Sequence, residues 1–306
     1  MREIAVICGP TAAGKSAVAM MLAQQTGALL ISADSRQVYR HFDIGTSKPS
    51  AADQALVPHC GIDLIDPTER YSAAQWAESA LGWLAHADAT GSRVIIVGGT
   101  GFYLRALESP LFESPPLDPV HRARVLAALE PLSTDALRDQ CVAVDPSRAH
   151  LGRTQLLRAL ETHTLTGRPL SEWLVERARP ATVRLRYLLV DPGPALRDRI
   201  ADRVRSMLAA GWEAEVETLV RDTPCEAPAW NACGYGVLRR ALTGEMSRRD
   251  AIERTVIDTR QYAKRQRTWF RHQLPSDRVL TLDPAVRDAA ARAAEWFETT
   301  SLSEHL

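Results

Sequence analysis

Four short stretches of the chain are nearly continuous in apolar residues: 4–8, 28–32, 93–97 and 185–190. Runs of this length, bounded by glycine and proline, predict buried strands. Between and after them the apolar positions recur with a helical period, predicting helices over 15–26, 71–87 and 100–107. Strand alternating with helix implies a parallel sheet covered on both faces, with ligands at the carboxyl ends of the strands. The alternation stops at Pro110, Pro115, Pro116 and Pro119. From there to Pro180 the pattern is helical only, over 120–130, 134–144, 154–165 and 171–177. The strand at 185–190 then returns, and helices follow to Trp269 or beyond. The expected organisation is an α/β core made of 1–113 and 181–306 with C-terminal helices. A helical insertion domain over 114–180 interrupts it.

Composition narrows this picture. Hydrophobic residues make up 45% and charged residues 24% of 306 positions, which supports a packed core and argues against disorder. No apolar run approaches the ~20 residues of a membrane helix. The short apolar start, followed at once by Gly9-Pro10, reads as a strand and not as a leader. Five cysteines, odd in number and without a C-x-x-C, argue against a disulfide framework or a zinc site and fit a reducing cytoplasm. Nothing demands more than a monomer.

Net charge is zero, yet it is unevenly spread. Residues 120–210 carry 15 basic and 10 acidic side chains, and residues 248–278 carry 9 and 4. Two basic blocks in a neutral chain point to a polyanionic partner or to solvated helix faces.

The sharpest chemical signal is Gly9-Pro10-Thr11-Ala12-Ala13-Gly14-Lys15-Ser16, a G-x-x-x-x-G-K-[ST] run between a predicted strand and a predicted helix. In that context it is a P-loop. Its backbone amides cradle a polyphosphate, Lys15 supplies positive charge and Ser16 can ligate Mg2+. The core is therefore expected to be a P-loop NTPase-like parallel sheet. The motif leaves the reaction open. The strand at 93–97 runs into Gly98-Gly99-Thr100 with no carboxylate, which weakens a nucleoside triphosphatase reading. Asp34, after the second strand, is either a general base facing the phosphate site or, with Ser35, the cap of a helix starting near Gln37. Thr100 is a polar site residue or the cap of the helix behind it.

Residues 259–272 form a basic helix without a breaker. Arg260, Lys264, Arg267 and Arg271 share one face, suited to phosphates or to solvent. Tyr262, Gln266 and Trp269 share another, where the aromatic rings are expected to be core.

Taken together, these segments resemble the bacterial tRNA dimethylallyltransferases. The likeness rests on the P-loop, on Ser32-Ala33-Asp34-Ser35-Arg36-Gln37-Val38-Tyr39, and on Asp43-Ile44-Gly45-Thr46-Ser47-Lys48-Pro49. It continues through Val97-Gly98-Gly99-Thr100-Gly101, Arg158-Ala159-Leu160-Glu161, Gly234-Tyr235 and the Thr-Arg-Gln-x-Ala-Lys-Arg-Gln run from Thr259. The resemblance implies transfer of a dimethylallyl group from dimethylallyl diphosphate to the adenosine 3′ of the anticodon, with Mg2+ as cofactor and the tRNA anticodon stem-loop as partner. It implies Asp34 as base, Thr100 beside the target adenine, and Lys15 and Ser16 on the diphosphate. Arg199 or Arg203, one turn apart, is implied as a further diphosphate contact. Asp34, Ser35, Arg36 and Gln37, Arg122, and Thr154, Gln155, Leu156, Leu157 and Arg158 fall on its RNA-contacting segments. Gln155 stands where the family usually has arginine. Three rivals share the P-loop: a nucleotide or small-metabolite kinase, which needs ATP, an adenylate isopentenyltransferase, which needs no basic insertion, and a non-catalytic RNA-binding module.

Overall fold

The structure, a computed structural model, describes residues 2–109, 118–176 and 182–302. The first apolar run becomes β1 (Arg2–Cys8), and its residues from Ile4 to Cys8 are at most 3% exposed. Then come α1 (Lys15–Thr26), β2 (Leu29–Ser32), α2 (Ala51–Leu56), β3 (His59–Cys60), α3 (Ala73–Thr90), β4 (Val94–Gly98) and α4 (Gly101–Glu108). Ser72 starts α3 with a reciprocal capping box to Gln75, which trims the expected helix start at 71 by two residues. Chain clustering separates two compact units, Met1–Glu108 with Ala181–Leu306, and Ser109–Pro180. The expected limit at 113/114 lies outside the described residues, as does Arg177.

The helical unit contains α5 (Pro119–Leu129), α6 (Thr134–Val144), α7 (Arg153–Thr166) and α8 (Leu170–Glu176). Asp118 and Ser133 cap α5 and α6 through their side chains. Leu137, Cys141 and Leu156, all fully buried, form the centre of its own small core.

The core unit resumes with β5 (Val183–Val190), α9 (Leu196–Ala209), α10 (Trp212–Asp222), α11 (Tyr235–Leu242), α12 (Arg248–Gln273), β6 (Val279–Leu282) and α13 (Ala289–Leu302). Its six strands are parallel in the order β3-β2-β4-β1-β5-β6. The strands missing from the sequence reading are the two edges. β3 has two residues, and in β6 only Leu282 is buried, so neither carries a readable pattern. α1 and α13 pack on the sheet through Leu22, Trp296 and Phe297. A second core joins the 38–46 segment to α10 and α11, with Phe42, Trp212, Trp230 and Tyr235 in edge or tilted contact.

One expected element is absent. No helix begins near Gln37; residues 35–38 form a turn.

Candidate active site

The P-loop leaves β1 at the sheet centre, and its shape depends on two glycines. Gly9 has φ 146°, and a Cβ there would sit 2.2 Å from the carbonyl oxygen of Val190, so only glycine fits. Gly14, at φ 103°, occupies the N-cap of α1, where no side chain caps the helix. The first amides of α1 are thereby left for an anion. Lys15 Nζ donates to the carbonyl of Pro10 at 2.8 Å. Arg199 Nε braces the loop from α9 by donating to Ala12 O at 3.0 Å. Arg199, Arg203, Lys15, Ser16 and Asp202 line a cavity of about 420 Å³ over the loop. Both candidate arginines therefore face the cradle, Arg199 as a brace and Arg203 pointing further in. The hydroxyl of Ser16 and the carboxylate of Asp202 are hard oxygen donors. Among the described residues no group of three or more His, Cys, Asp or Glu side chains could hold a metal. Asp202 is already paired with Arg205, which leaves the Ser16 hydroxyl as the oxygen donor a divalent ion could take here, beside waters and phosphate.

Asp34 lies beyond the end of β2. Its Oδ1 accepts from Arg36 N at 2.8 Å, an Asx turn in place of the expected helix cap. No protein donor reaches Oδ2 among the described residues. Ser35 N donates to Thr100 Oγ1 at 3.0 Å, and Thr100 N donates to Ala33 O at 3.1 Å. Thr100 stands at the start of α4 and its carbonyl accepts from Tyr103 N, but its hydroxyl serves Ser35 and so fixes the Asp34 turn. Gln37 is turned inward. Its Oε1 accepts from Ser32 Oγ at 2.8 Å and its Nε2 donates to the carbonyls of Thr46 and Ser47. The side chain expected at an RNA surface is thus a strut for the 43–48 loop.

That loop is the second wall. Glu215 accepts from the amides of Asp43 and Ile44, and the Tyr235 hydroxyl donates to Glu215 and accepts from Gly45 N. Lys48 reaches Tyr39 O and the carboxylates of Asp43 and Asp63. Burial and the facing carboxylate of Glu215 push the Tyr235 hydroxyl far above its ordinary range, so it stays a donor.

Three cavities meet along these walls. A small one of about 60 Å³ shares Lys15, Ser16, Ser47 and Arg203 with the cavity over the P-loop. It shares Thr11, Asp34, Thr46, Arg203 and Tyr262 with a third, of about 800 Å³, flanked by Met207, Trp212 and Trp230. The phosphate cradle thus joins a chamber walled by both apolar and charged side chains, Arg36, Arg239, Arg240 and Arg265 among them, through a neck where Asp34 and Arg203 stand. Burial, then the neighbouring charge of Arg203, lower the Lys15 ammonium to about 8. Burial lowers Arg203 too, against the opposing pull of Asp34. Two desolvated cations and one carboxylate leave an uncompensated positive charge, suited to a polyanion.

The helix α12 contributes more than its basic face. Arg267, expected on that face, instead pairs with Asp191 and donates to Gly193 O, so it belongs to the fold. Arg260 Nη2 approaches Arg197 O at 3.4 Å, while Lys264 is exposed. Trp269, expected in the core, is only half-buried and packs against Gly101. Tyr262 lines the neck instead. Gln266, only 7% exposed, accepts from Thr11 N and donates to Gly99 O. No sequence reading singled it out as chemistry, because its two partners are 255 and 167 residues away.

In the helical unit, Thr154, Gln155 and Arg158 are exposed on α7 and Leu157 is partly buried. Leu156 is fully buried, so its side chain holds the unit together and does not face outward. Arg122 on α5 is 54% exposed and pairs with the buried carboxylate of Glu161.

The family model described as IPP transferase matches residues 37–273, and one described as isopentenyl transferase matches residues 2–63. A tRNA dimethylallyltransferase of Halorhodospira halophila is 44% identical over 87% of this chain and 89% of its own length. One from Nostoc punctiforme is 41% identical over 89% of each. Among solved structures, a tRNA isopentenylpyrophosphate transferase of Bacillus halodurans aligns over 100% of both chains at 30% identity with a TM-score of 0.70. A eukaryotic dimethylallyltransferase acting on tRNA aligns over 99% of this chain and 80% of its own at 27% identity, with a TM-score of 0.84.

Proposed function

The chain belongs to the IPP transferase family, and from that premise we propose that it transfers a dimethylallyl group from dimethylallyl diphosphate to the exocyclic amine of the adenosine 3′ of the anticodon in tRNA. One observation carries the reading: the P-loop cavity and the chamber meet at a neck lined by both Arg203 and Asp34. A leaving group and a nucleophile can approach one carbon there from opposite sides.

The adenine amine is a weak nucleophile, because its lone pair is delocalised into the ring. The allylic carbon compensates. As its C–O bond breaks, the electron pair leaves with the diphosphate and positive charge spreads over the allyl group. The P-loop amides, Lys15 and Arg203, with Arg199 bracing the loop, stabilise the developing negative charge. We assign Ser16 as the protein ligand of Mg2+, which when bound would neutralise charge on the leaving oxygens. The amine nitrogen forms the new C–N bond and its proton passes to Asp34. Trp212, Trp230 and Met207 keep water from the allyl cation. A base inside a stem-loop must first leave its stack, and phosphate contacts offset that cost. For those contacts we propose Arg36 beside the chamber, Lys264 and Arg260 on α12, and Arg122, Thr154, Gln155 and Arg158 in the helical unit.

One chain supplies every group in this scheme, so a monomer suffices. Five free cysteines fit a reducing cytoplasm, and no helix among the described residues could cross a membrane.

The test is incubation with dimethylallyl diphosphate, Mg2+ and anticodon stem-loop RNA, followed by mass spectrometry of loop fragments. A fragment heavier by one dimethylallyl group, with the adduct on the adenosine 3′ of the anticodon, is expected. ATP-dependent phosphate transfer without that adduct, or labelling of AMP in preference to RNA, would overturn the reading.

A further inference from the structure

Consecutive side chains of α12 bond to the turns at the carboxyl ends of three neighbouring strands. Arg267 holds Asp191 and Gly193, after β5. Gln266 takes the other two: its Oε1 accepts from Thr11 N, after β1, at 2.8 Å, and its Nε2 donates to Gly99 O, after β4, at 2.9 Å. Thr11 belongs to the phosphate cradle. Gly99 precedes Thr100, whose hydroxyl accepts from Ser35 N beside Asp34. A path of two side chains thus runs from the P-loop through Gln266, Gly99, Thr100 and Ser35 to the carboxylate.

Among ionised or apolar side chains of this length none satisfies both ends of the Gln266 link as the amide does. Glutamate brings two acceptors, lysine or arginine only donors, leucine neither. The site is also tight. A Cβ added at Gly99 would lie 2.3 Å from Gln266 Nε2, so the amide keeps its place only because position 99 is glycine. A buried amide bonded at both ends fixes the distance between the two turns far better than apolar packing does.

Resting on the proposed prenyl transfer, we infer that Gln266 is a positioning residue that sets the separation between the departing diphosphate and Asp34 with its nucleobase. Its effect falls on the geometry of transfer and not on affinity for either substrate. A misplacement of about 1 Å between reacting groups costs about 100-fold in rate.

The test compares wild type, Gln266→Leu and Gln266→Glu as full chains. Four quantities are read: turnover at saturating dimethylallyl diphosphate and stem-loop RNA, RNA affinity, affinity for inorganic diphosphate with Mg2+, and melting midpoint. For Gln266→Leu, turnover is expected to fall about 100-fold, with both affinities within about threefold of wild type and the protein folded at the assay temperature. For Gln266→Glu, the carboxylate repels Gly99 O when ionised and can donate to it when protonated. Burial raises the pH of that change, so its turnover relative to wild type is expected to rise as pH falls. Turnover of folded Gln266→Leu within about threefold of wild type, losses that track unfolding, or a pH-independent Gln266→Glu ratio overturn the role of Gln266. A wild type that binds diphosphate but prenylates no RNA overturns the functional reading, and this role with it.

Discussion

The two units handle basic side chains in opposite ways. In the core, Lys15 and Arg203 are desolvated beside the P-loop, and Arg267 is spent on Asp191 and Gly193. In the helical unit, Arg138 and Arg168 form exposed pairs with Asp135, Glu172 and Glu176, and Arg153 donates to the carbonyls of Leu132 and Glu130. Exposed pairs of this kind are worth little individually. The site in the first unit rests on geometry and desolvated charge, whereas the second, with nine basic and nine acidic side chains over 109–180, has no net charge and presents its arginines at the surface. Changes at the desolvated groups should be abrupt and insensitive to salt, and changes at exposed basic side chains of either unit graded and erased by salt.

The largest expected break is Gly9→Ala. Its methyl would meet Val190 O, and the conformation itself costs about 1–3 kcal/mol in a non-glycine residue. Binding of inorganic diphosphate, measured by calorimetry, should be lost; retained binding would show that the loop tolerates a Cβ. Next comes Asp34→Asn, expected to lower turnover by about 10²–10⁴-fold with unchanged RNA affinity in a filter-binding assay. Equal loss of both would make Asp34 a turn residue only. Third, reversing Arg122 and Arg158 to glutamate in the helical unit, or Arg260 and Lys264 on α12, should weaken RNA binding about tenfold or more at low salt and much less at high salt. A salt-independent loss would indicate misfolding. The smallest effect is in pH. Lys15 loses its proton as pH rises through about 8, so donor KM should climb above that pH while RNA affinity stays flat. Donor binding unaffected up to pH 9.5 would count against Lys15 as a phosphate contact. The same shift carries a stability sign. Lys15 has a folded pKa below its unfolded one, so its burial opposes folding below about 8, and that cost fades as pH rises towards the ordinary lysine value of 10.5.

Much of the core was legible because its signals are local. The P-loop is one contiguous run, and β1, β2, β4 and β5 are dense apolar segments bounded by turn residues. The helical unit could be read from its periodicity for the same reason. What escaped depends on distance along the chain. Thr100 was seen as a cap or a site residue; its hydroxyl holds a turn 65 residues away. Gln37 and Arg267 looked like surface polar residues, yet both close hydrogen bonds inside the core unit. Leu156 fell in a stretch marked by family likeness, but helical geometry alternates faces within such a stretch, and its turn points inward.

Glu108, the last residue of α4, has a role that reaches past catalysis. Its carboxylate accepts from Leu185 N at 3.2 Å and from the Tyr187 hydroxyl at 3.1 Å, and it pairs with Arg278. The strand that resumes the sheet is therefore clasped where the chain departs, 77 positions earlier in sequence. Such a clasp makes the excursion between them modular. The sheet can close whatever loop is spliced there, so a different helical unit could be transplanted at this seam without disturbing the strands that carry the P-loop.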